Sequence, residues 1–305
     1  MKLIFMGTPA LAVPSLEMLH AEHEILCVVT QPDKPAGRSK TPQPSAVKTW
    51  ALEHGLAVAQ PERARNEEFV EEMRALEPDA MAVVAYGQIL PRSLLELAPR
   101  GCVNAHFSLL PRWRGAAPVQ HALISGDRVT GVTTQWMAEK LDSGDVIVRR
   151  ELEILPGETT ADLWNRLTPF GAETLRDTMR LIEAGNAPRE PQNEAEITWA
   201  PQLSREDGRL DWTQDARALE NRVRGTNPWP GAWTTFRGAT VKIWRARAEE
   251  RPCCAAGELC TTDAVRIGCG QGSLVLEEIQ PEGRPRMKPL DWARGARLEK
   301  GDRCE

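Results

Sequence analysis

Three polar residues could carry out group-transfer chemistry: Asn104 and His106 in the stretch NAHFSLLPRWRG, and Asp142 in the downstream stretch LDSGD. An Asn amide can donate to a developing oxyanion, a His can donate or shuttle a proton, and an Asp can orient an imidazole ring. None of the three is a strong nucleophile. The set therefore suits direct transfer of an acyl-type group to a nucleophile that the substrate brings, without a covalent enzyme intermediate.

Each of these residues also has a purely structural explanation. A single His at the end of a strand is commonly a hydrogen-bonded structural residue, and Asp142 or Asp145 could form an Asx turn before a strand. Taken one at a time, the residues leave a structural role open. Their combination favours catalysis.

The elements that must position Asn104 and His106 form an alternating pattern. Helical patterns separate short apolar runs, which fall at residues 2–6, 25–30, 56–59, 80–85 and 102–105. Apolar strands that alternate with helices predict a mostly parallel, Rossmann-like sheet with helices on both faces. Ligands of such sheets bind beyond the carboxyl ends of the strands, which is where NAHFSLLP begins.

The rest of the chain predicts a second domain. A long helical pattern covers residues 160–183, and a segment rich in Pro, Gly and polar residues follows it. Short β-like runs with Gly-containing turns then favour a small antiparallel barrel or sandwich. We predict a catalytic domain over residues 1–185, a linker over 186–208 and a C-terminal β domain over 209–305.

Several classes of protein lack support. The first strand is followed by MGTPALAV, which has no G-x-G-x-x-G, and the chain has neither a P-loop nor a G-x-S-x-G elbow. The seven cysteines include no C-x-x-C pair, so neither a disulfide framework nor a metal site is expected. No apolar run is long enough to cross a membrane, and no signal peptide is evident. These observations predict a cytoplasmic protein.

Charge is distributed unevenly. Residues 206–305 carry 17 basic and 16 acidic side chains, whereas residues 1–205 carry 21 basic and 27 acidic ones. The less acidic C-terminal third is a weak indication of a phosphate-bearing partner. A mixed, solvated surface explains the charges equally well.

The long motif NAHFSLLPRWRGAAPVQ, together with LDSGD, resembles the signature of the folate-dependent formyltransferases. The resemblance extends in order through FMGTP, QPDKPAGRSK, VVAYGQILP, GVTTQWM, GRLDW and NPWPGAW. Within that superfamily the chain resembles the branch that acts on charged initiator tRNA. The resemblance implies that the second domain is a small, OB-like β-barrel that also contacts tRNA.

The resemblance also implies roles for particular residues. Asn104, His106 and Asp142 match the catalytic positions. The positions that match the folate-binding segments are Ser108, Leu109, Leu110 and Pro111 in one turn, and Tyr86, Gly87, Gln88, Ile89 and Leu90 in another. The loop DKPAGRSK, with its basic residues Lys34, Arg38 and Lys40, matches an insertion that meets the tRNA acceptor end.

The implied reaction takes its formyl group from 10-formyltetrahydrofolate, a co-substrate rather than a tightly bound cofactor. The implied acceptor is the free α-amine of methionine esterified to initiator tRNA. We expect a monomer with no metal and no membrane partner. One departure from the family pattern is Phe107, because glycine or alanine often stands there; its ring could narrow the pocket or add an apolar wall. Arg112 and Arg114 could serve phosphates, the folate tail or structural ion pairs.

Two other functions stay open. A folate-dependent formyltransferase that acts on an amino sugar nucleotide would share the Asn-x-His and Asp set. A non-catalytic folate-binding or RNA-binding module is the more distant alternative, and the intact catalytic set argues against it.

Overall fold

The computed structural model describes residues 1–35 and 41–305, which divide into two compact units. The described residues of Met1–Gly115, Thr130–Leu152 and Trp164–Trp199 make up the first unit. The second unit comprises Ala116–Val129, Glu153–Leu163 and Ala200–Glu305. Both units are discontinuous in sequence, whereas the predicted domain boundaries are single points along the chain; those boundaries stay predictions.

The first unit is built on a seven-stranded sheet of order β5-β2-β1-β6-β7-β8-β9. Its five strands from β5 to β7 pair in parallel, and β8 pairs antiparallel to β7. The strands of this sheet are β1 (Lys2–Gly7), β2 (Glu24–Val29), β5 (Val58–Ala59), β6 (Ala80–Val84), β7 (Cys102–His106), β8 (Val129–Trp136) and β9 (Val146–Glu153). A separate antiparallel pair joins β3 (Lys34–Pro35) to β4 (Pro42–Gln43).

The described residues contain eight α-helices. They are α1 (Val13–Glu22), α2 (Ala46–Glu53), α3 (Glu67–Ala75), α4 (Arg92–Leu95), α5 (Pro118–Ile124), α6 (Thr160–Glu183), α7 (Ala216–Thr226) and α8 (Pro289–Ala296). Asn66 caps α3, because its side-chain oxygen accepts a hydrogen bond from the backbone N–H of Glu68. Two glutamates in the first turn of α3 also interact favourably with the helix dipole.

Both faces of the first sheet are covered. Ile4 and Met6 point to one face, where they pack with Phe69 and Met73 of α3 in an apolar core. Leu3 and Phe5 point to the opposite face and are completely buried as well. On that second face the hydroxyl of Thr134 in β8 lies 2.7 Å from that of Thr178 in α6. The predicted Rossmann-like sheet with helices on both faces is therefore confirmed.

The second unit contains a five-stranded antiparallel sheet of order β10-β11-β14-β13-β12. A two-residue turn joins the first two strands, and its residues Arg237 (φ 49°) and Gly238 (φ 78°) adopt the positive φ that a tight hairpin requires. The strands are β10 (Ala232–Phe236), β11 (Ala239–Glu249), β12 (Leu259–Thr261), β13 (Val265–Gly268) and β14 (Ser273–Pro281). Leu219 of α7 and Trp292 of α8 complete its apolar core. The small antiparallel barrel-like domain is confirmed.

Two searches of the described residues bear on function. No helix there combines the length and apolar character needed to cross a membrane. In the same residues, no three His, Cys, Asp or Glu side chains are grouped so that they could hold a metal ion.

Candidate active site

Asn104 and His106 lie two residues apart on β7, so their side chains emerge on the same face of the sheet. Asn104 lies opposite Val83 of β6 and opposite Gln135 of β8, which places all of these side chains on that face. His106 is buried, whereas Asn104 is partly exposed. The two candidates therefore stand at the carboxyl end of a parallel strand, where open α/β sheets bind their ligands.

Asp142 reaches the same place from the loop between β8 and β9. Its Oδ2 atom lies 3.6 Å from Nδ1 of His106, and the two side chains are only 11% and 7% exposed. This distance is longer than a hydrogen bond, but catalytic pairs are often loose before substrate binds. The structure thus brings together His106 and Asp142, which the sequence places on different elements.

The loop that carries Asp142 is held tightly in place. Asp142 itself has a φ of 48°, a left-handed conformation that is uncommon for a residue with a side chain. Its Oδ2 accepts a hydrogen bond from the backbone N–H of Gly115 at 2.9 Å, and its Oδ1 accepts one from Nε2 of Gln135 at 3.2 Å. Gly144 approaches β8 so closely that a Cβ there would lie 1.6 Å from the carbonyl oxygen of Trp136. Only glycine fits at that position.

The second ring nitrogen of His106 also has a partner. Nε2 lies 2.8 Å from the backbone carbonyl oxygen of Trp113. A carbonyl can only accept, so we assign a hydrogen to Nε2, while Nδ1 faces the carboxylate of Asp142. A doubly protonated ring could therefore donate at both nitrogens. For Nε2 to donate to a substrate oxygen, that oxygen must replace the Trp113 carbonyl.

The amide of Asn104 is available to a ligand. In the part of the chain that the structure describes, no protein group hydrogen-bonds this amide, and the residue is partly exposed. An unused Nδ2 donor on the same face as His106 is the arrangement that a developing oxyanion requires.

The polar groups of the turn from Ser108 to Pro111 bond to other protein groups. The Ser108 hydroxyl donates to the carbonyl of Arg112 at 2.6 Å. Thr133 accepts from the N–H of Leu110 and donates to the carbonyl of Ser108. Leu110 and Pro111 are buried, whereas Leu109 is half-buried. A depression of about 550 Å³ opens beside Leu109, Leu110 and Pro111 and is also lined by Arg112, Arg149, Glu190, Pro191, Asn193 and Glu196.

The segment from Tyr86 to Leu90 presents little side chain to solvent. Tyr86 and Leu90 pack in the apolar core beside α3, and burial raises the pKa of Tyr86 to about 12. Gln88 is occupied at both ends of its amide, by the N–H of Ala64 and the carbonyl of Pro61. Ile89 is 85% exposed and Gly87 is exposed too. The surface that this segment offers a ligand is therefore Ile89 and backbone.

The structure describes one of the three residues that are predicted to contact tRNA. Lys34 is exposed, and its Nζ donates to the side chain of Gln31 at 2.7 Å. Arg38 and Lys40 lie outside the described residues. Their role stays a prediction.

The ring of Phe107 points away from the catalytic candidates. Alternation along the chain sends it to the face opposite His106, where it meets Trp164 of α6 with ring centroids 4.8 Å apart. A Cβ on Gly171 of the same helix would lie 2.7 Å from Cε1 of this ring. The departure from the family pattern is therefore accommodated by a glycine in α6. The ring neither narrows the site nor forms a wall of it.

Arg112 and Arg114 differ sharply in their surroundings. Arg112 is exposed, and its guanidinium lies 4.4 Å from the ring centroid of Trp113. Arg114 is only 4% exposed, and it donates from Nε and Nη2 to the side-chain oxygen of Gln192. Burial leaves Arg114 unsuited to meeting a phosphate on a large substrate.

Gln135 is a contact of Asp142 that the sequence-based prediction does not include. It is buried in a strand that otherwise reads as apolar or hydroxyl-bearing, GVTTQWM. A long amide at such a position needs partners, and this requirement is the signal that could have drawn attention to it.

Solved structures share this fold. An N-formyltransferase from Helicobacter canadensis, in complex with folinic acid and dTDP-3-aminofucose, matches 92% of this chain and 99% of its own with a TM-score of 0.68 and 16% identity. HypX from Aquifex aeolicus, in complex with tetrahydrofolic acid, matches 99% of this chain and 50% of its own with a TM-score of 0.62 and 19% identity. Identities this low establish similarity of fold alone.

Sequence comparison is more specific. The family model for formyl transferases matches residues 1–179, and that for the formyl transferase C-terminal domain matches residues 202–297. The methionyl-tRNA formyltransferase of Geobacter metallireducens is 45% identical over 306 residues, covering 99% of this chain and 98% of its own. That of Solibacter usitatus is 46% identical over 305 residues, with the same coverage. The chain therefore belongs to the methionyl-tRNA formyltransferase family.

Proposed function

We propose that the protein transfers the formyl group of 10-formyltetrahydrofolate to the α-amine of methionyl-initiator tRNA, giving N-formylmethionyl-tRNA for translation initiation. The observation that carries the proposal is the meeting of Asn104, His106 and Asp142 at the carboxyl end of β7. Full-length relatives named methionyl-tRNA formyltransferase support the choice of acceptor.

The proposed reaction proceeds by direct attack. An α-amine has a pKa of roughly 8, so a useful neutral fraction exists near pH 7. Its lone pair forms a bond to the formyl carbon, and the carbonyl electrons move onto oxygen. Nδ2 of Asn104 and Nε2 of His106 donate to this oxyanion, the latter after leaving the carbonyl of Trp113.

Collapse of the tetrahedral intermediate breaks the bond between the formyl carbon and N10 of the folate. The departing N10 takes up a proton as the new amide loses one. Asp142, held by Gly115 and Gln135, keeps the ring of His106 oriented and helps relay that proton. No step requires a covalent bond to the protein.

The two substrates have proposed surfaces. The turn Ser108–Pro111 and the exposed Ile89 would contact the folate. Lys34, Arg38 and Lys40 would meet the tRNA acceptor end, and the C-terminal domain, residues 209–305, would add further tRNA contacts. Asn104, His106 and Asp142 all come from one chain, and we propose that the protein acts as a monomer in the cytoplasm.

The alternative acceptor, an amino sugar nucleotide, has weaker support. A sugar 3N-formyltransferase structure is similar at 14% identity, whereas the relatives named for methionyl-tRNA are 41–46% identical over nearly the whole chain. Incubating the protein with 10-formyltetrahydrofolate and either charged initiator tRNA or a nucleotide-linked amino sugar separates the two. We expect N-formylmethionine from the first mixture and no formylated sugar from the second; the reverse pattern would refute the proposal.

A further inference from the structure

We propose that Arg114, Gln192 and Gln135 form a directed chain of hydrogen bonds that positions Asp142 against His106. This inference rests on the proposed function, because it assigns these residues to the same site. Its evidence is independent of the reaction. The evidence is the identity of the donor and of the acceptor in each of these hydrogen bonds.

The series of hydrogen bonds starts at a buried cation. Arg114 is 4% exposed, and its guanidinium can only donate. Nε and Nη2 both donate to Oε1 of Gln192, at 3.0 and 2.7 Å. Among the described residues, Gln192 is the only side chain that accepts from this guanidinium. The cation therefore fixes which end of the Gln192 amide faces it.

Because the side-chain oxygen of Gln192 accepts from Arg114, its side-chain nitrogen faces the loop that carries Asp142. There Nε2 lies 2.9 Å from the backbone carbonyl oxygen of Asp142 and 2.8 Å from that of Gly144. These contacts hold the loop whose left-handed residue is Asp142. The same Nε2 lies 3.2 Å from Oε1 of Gln135, so its two hydrogens are shared among three acceptors.

The amide of Gln135 is oriented by Gln192 in the same way. Because its oxygen accepts from Gln192, its own Nε2 points to Oδ1 of Asp142, at 3.2 Å. A donor at this place fits an ionised carboxylate, which is an acceptor only. The residue after Arg114 also holds this carboxylate, because the backbone N–H of Gly115 donates to Oδ2 of Asp142.

The amide dipoles thus line up head to tail from the guanidinium to the carboxylate. Bonds ordered in this way polarise and strengthen one another, so the far end of the chain affects the near end. Asp142 is left with one orientation, in which Oδ2 faces Nδ1 of His106. Arg114, Gln192 and Gln135 are positioning residues, because they act on the reaction through Asp142.

Gln192→Glu separates this role from simple structural support. A glutamate at 192 still accepts from Arg114, and as an ion pair, so the buried cation keeps its partner. It cannot donate to Gln135 or to the carbonyls of Asp142 and Gly144. Hydrogen-bond partners that orient metal ligands typically contribute 10- to 100-fold to activity, and we expect an effect of the same order here, with kcat lower by about tenfold or more. KM for both substrates should stay within about twofold in a variant that remains folded.

Two further variants complete the test. Gln202→Glu makes the same change at an exposed glutamine of the predicted linker, and it should leave kcat unchanged. Gln135→Met removes the donor to Asp142 together with the acceptor of Gln192, so it should lower kcat even if Gln192→Glu does not fold. Nitrogen-15 NMR of the histidine rings gives a readout independent of turnover: the signals that disappear in His106→Ala should shift in Gln192→Glu and stay in place in Gln202→Glu.

Different outcomes would overturn the positioning role and the proposed function. A folded Gln192→Glu or Gln135→Met protein with normal kcat and unshifted His106 signals would overturn the positioning chain. A wild-type protein that does not formylate methionyl-tRNA would overturn the proposed function instead. In that case the ring signals of His106 would still decide whether the chain of hydrogen bonds orients the histidine.

Discussion

The contact between Phe107 and Gly171 predicts a change of sign in a double-mutant cycle. In a helix, Gly→Ala ordinarily stabilises by about 1 kcal/mol. At Gly171 the new Cβ would lie 2.7 Å from Cε1 and 3.1 Å from Cζ of a ring that is buried and packed on Trp164. Overpacking of this kind costs about 1–3 kcal/mol. We therefore expect Gly171→Ala to destabilise the wild type by about 1 kcal/mol.

Removing the ring should reverse the effect. Phe107→Ala alone should cost about 3–5 kcal/mol through lost burial and a cavity. In that background Gly171→Ala should stabilise by about 1 kcal/mol, which gives a coupling of about 2 kcal/mol between the two sites. Urea denaturation of the four proteins measures it. Equal stabilisation by Gly171→Ala in both backgrounds would show that the ring moves aside freely and would refute the packing argument.

Three further predictions concern the site and its surroundings. Asn104→Ala and His106→Ala should each fold, bind tRNA within a few-fold of wild type and lose about two or more decades of kcat; a near-normal rate would remove that residue from the mechanism. Tyr86 is the protein's only tyrosine, so the increase in absorbance at 295 nm with pH, above the constant contribution of the tryptophans, reports its ionisation. Because burial raises its pKa to about 12, the native protein should show little tyrosinate at a pH near 10, where the urea-unfolded chain is about half ionised; matching titration curves would contradict the burial. The stabilising effect of the buried phenol should be complete below pH ~10 and decline as pH rises towards 12. Arg38→Ala should reduce kcat/KM for charged tRNA more than Lys34→Ala and make tRNA binding less dependent on salt, because arginine can bind phosphate through two hydrogen bonds; an Arg38→Ala enzyme equal to wild type at two salt concentrations would exclude that contact.

Local patterns were sufficient to predict the architecture of the first unit. Residues 3–6 of the first run are apolar at successive positions, and in the structure both Phe5 and Met6 are buried although they point to opposite faces. A strand that is covered on both faces is apolar at nearly every position. This pattern can be recognised without knowledge of the tertiary structure. The helix over 160–183 was predicted at the bounds that the structure gives it.

The environment of the catalytic candidates was not predictable in the same way. The place of Asn104 at a strand end follows from the sequence, but the partners of Asp142 lie on β8, before α5 and beyond α6. Gln192 falls in a polar stretch that reads as a linker, because nothing in its neighbours indicates that its amide is held by a buried arginine. Only the fold brings Arg114, Gln135 and Gln192 to one loop.

The direction of two aromatic side chains was also beyond local patterns. Phe107 immediately follows a predicted site residue, yet its ring packs on α6, where Gly171 provides the space. Tyr86 lies within the segment expected to contact folate, and its ring is part of the apolar core. Whether a side chain next to a strand end faces ligand or core depends on the register of the sheet and on the helix that covers it.

The central claim is that the formyl group of 10-formyltetrahydrofolate passes to the amine of methionyl-tRNA at Asn104, His106 and Asp142. A single-turnover reaction with carbon-13-labelled formyl donor, charged initiator tRNA and excess enzyme tests it most directly, with mass spectrometry of the methionine released from the tRNA. We predict labelled N-formylmethionine with the wild type, and formation slowed by two or more decades with His106→Ala. Unmodified methionine with the folded wild-type enzyme, or labelled product formed equally fast by His106→Ala, would contradict the claim.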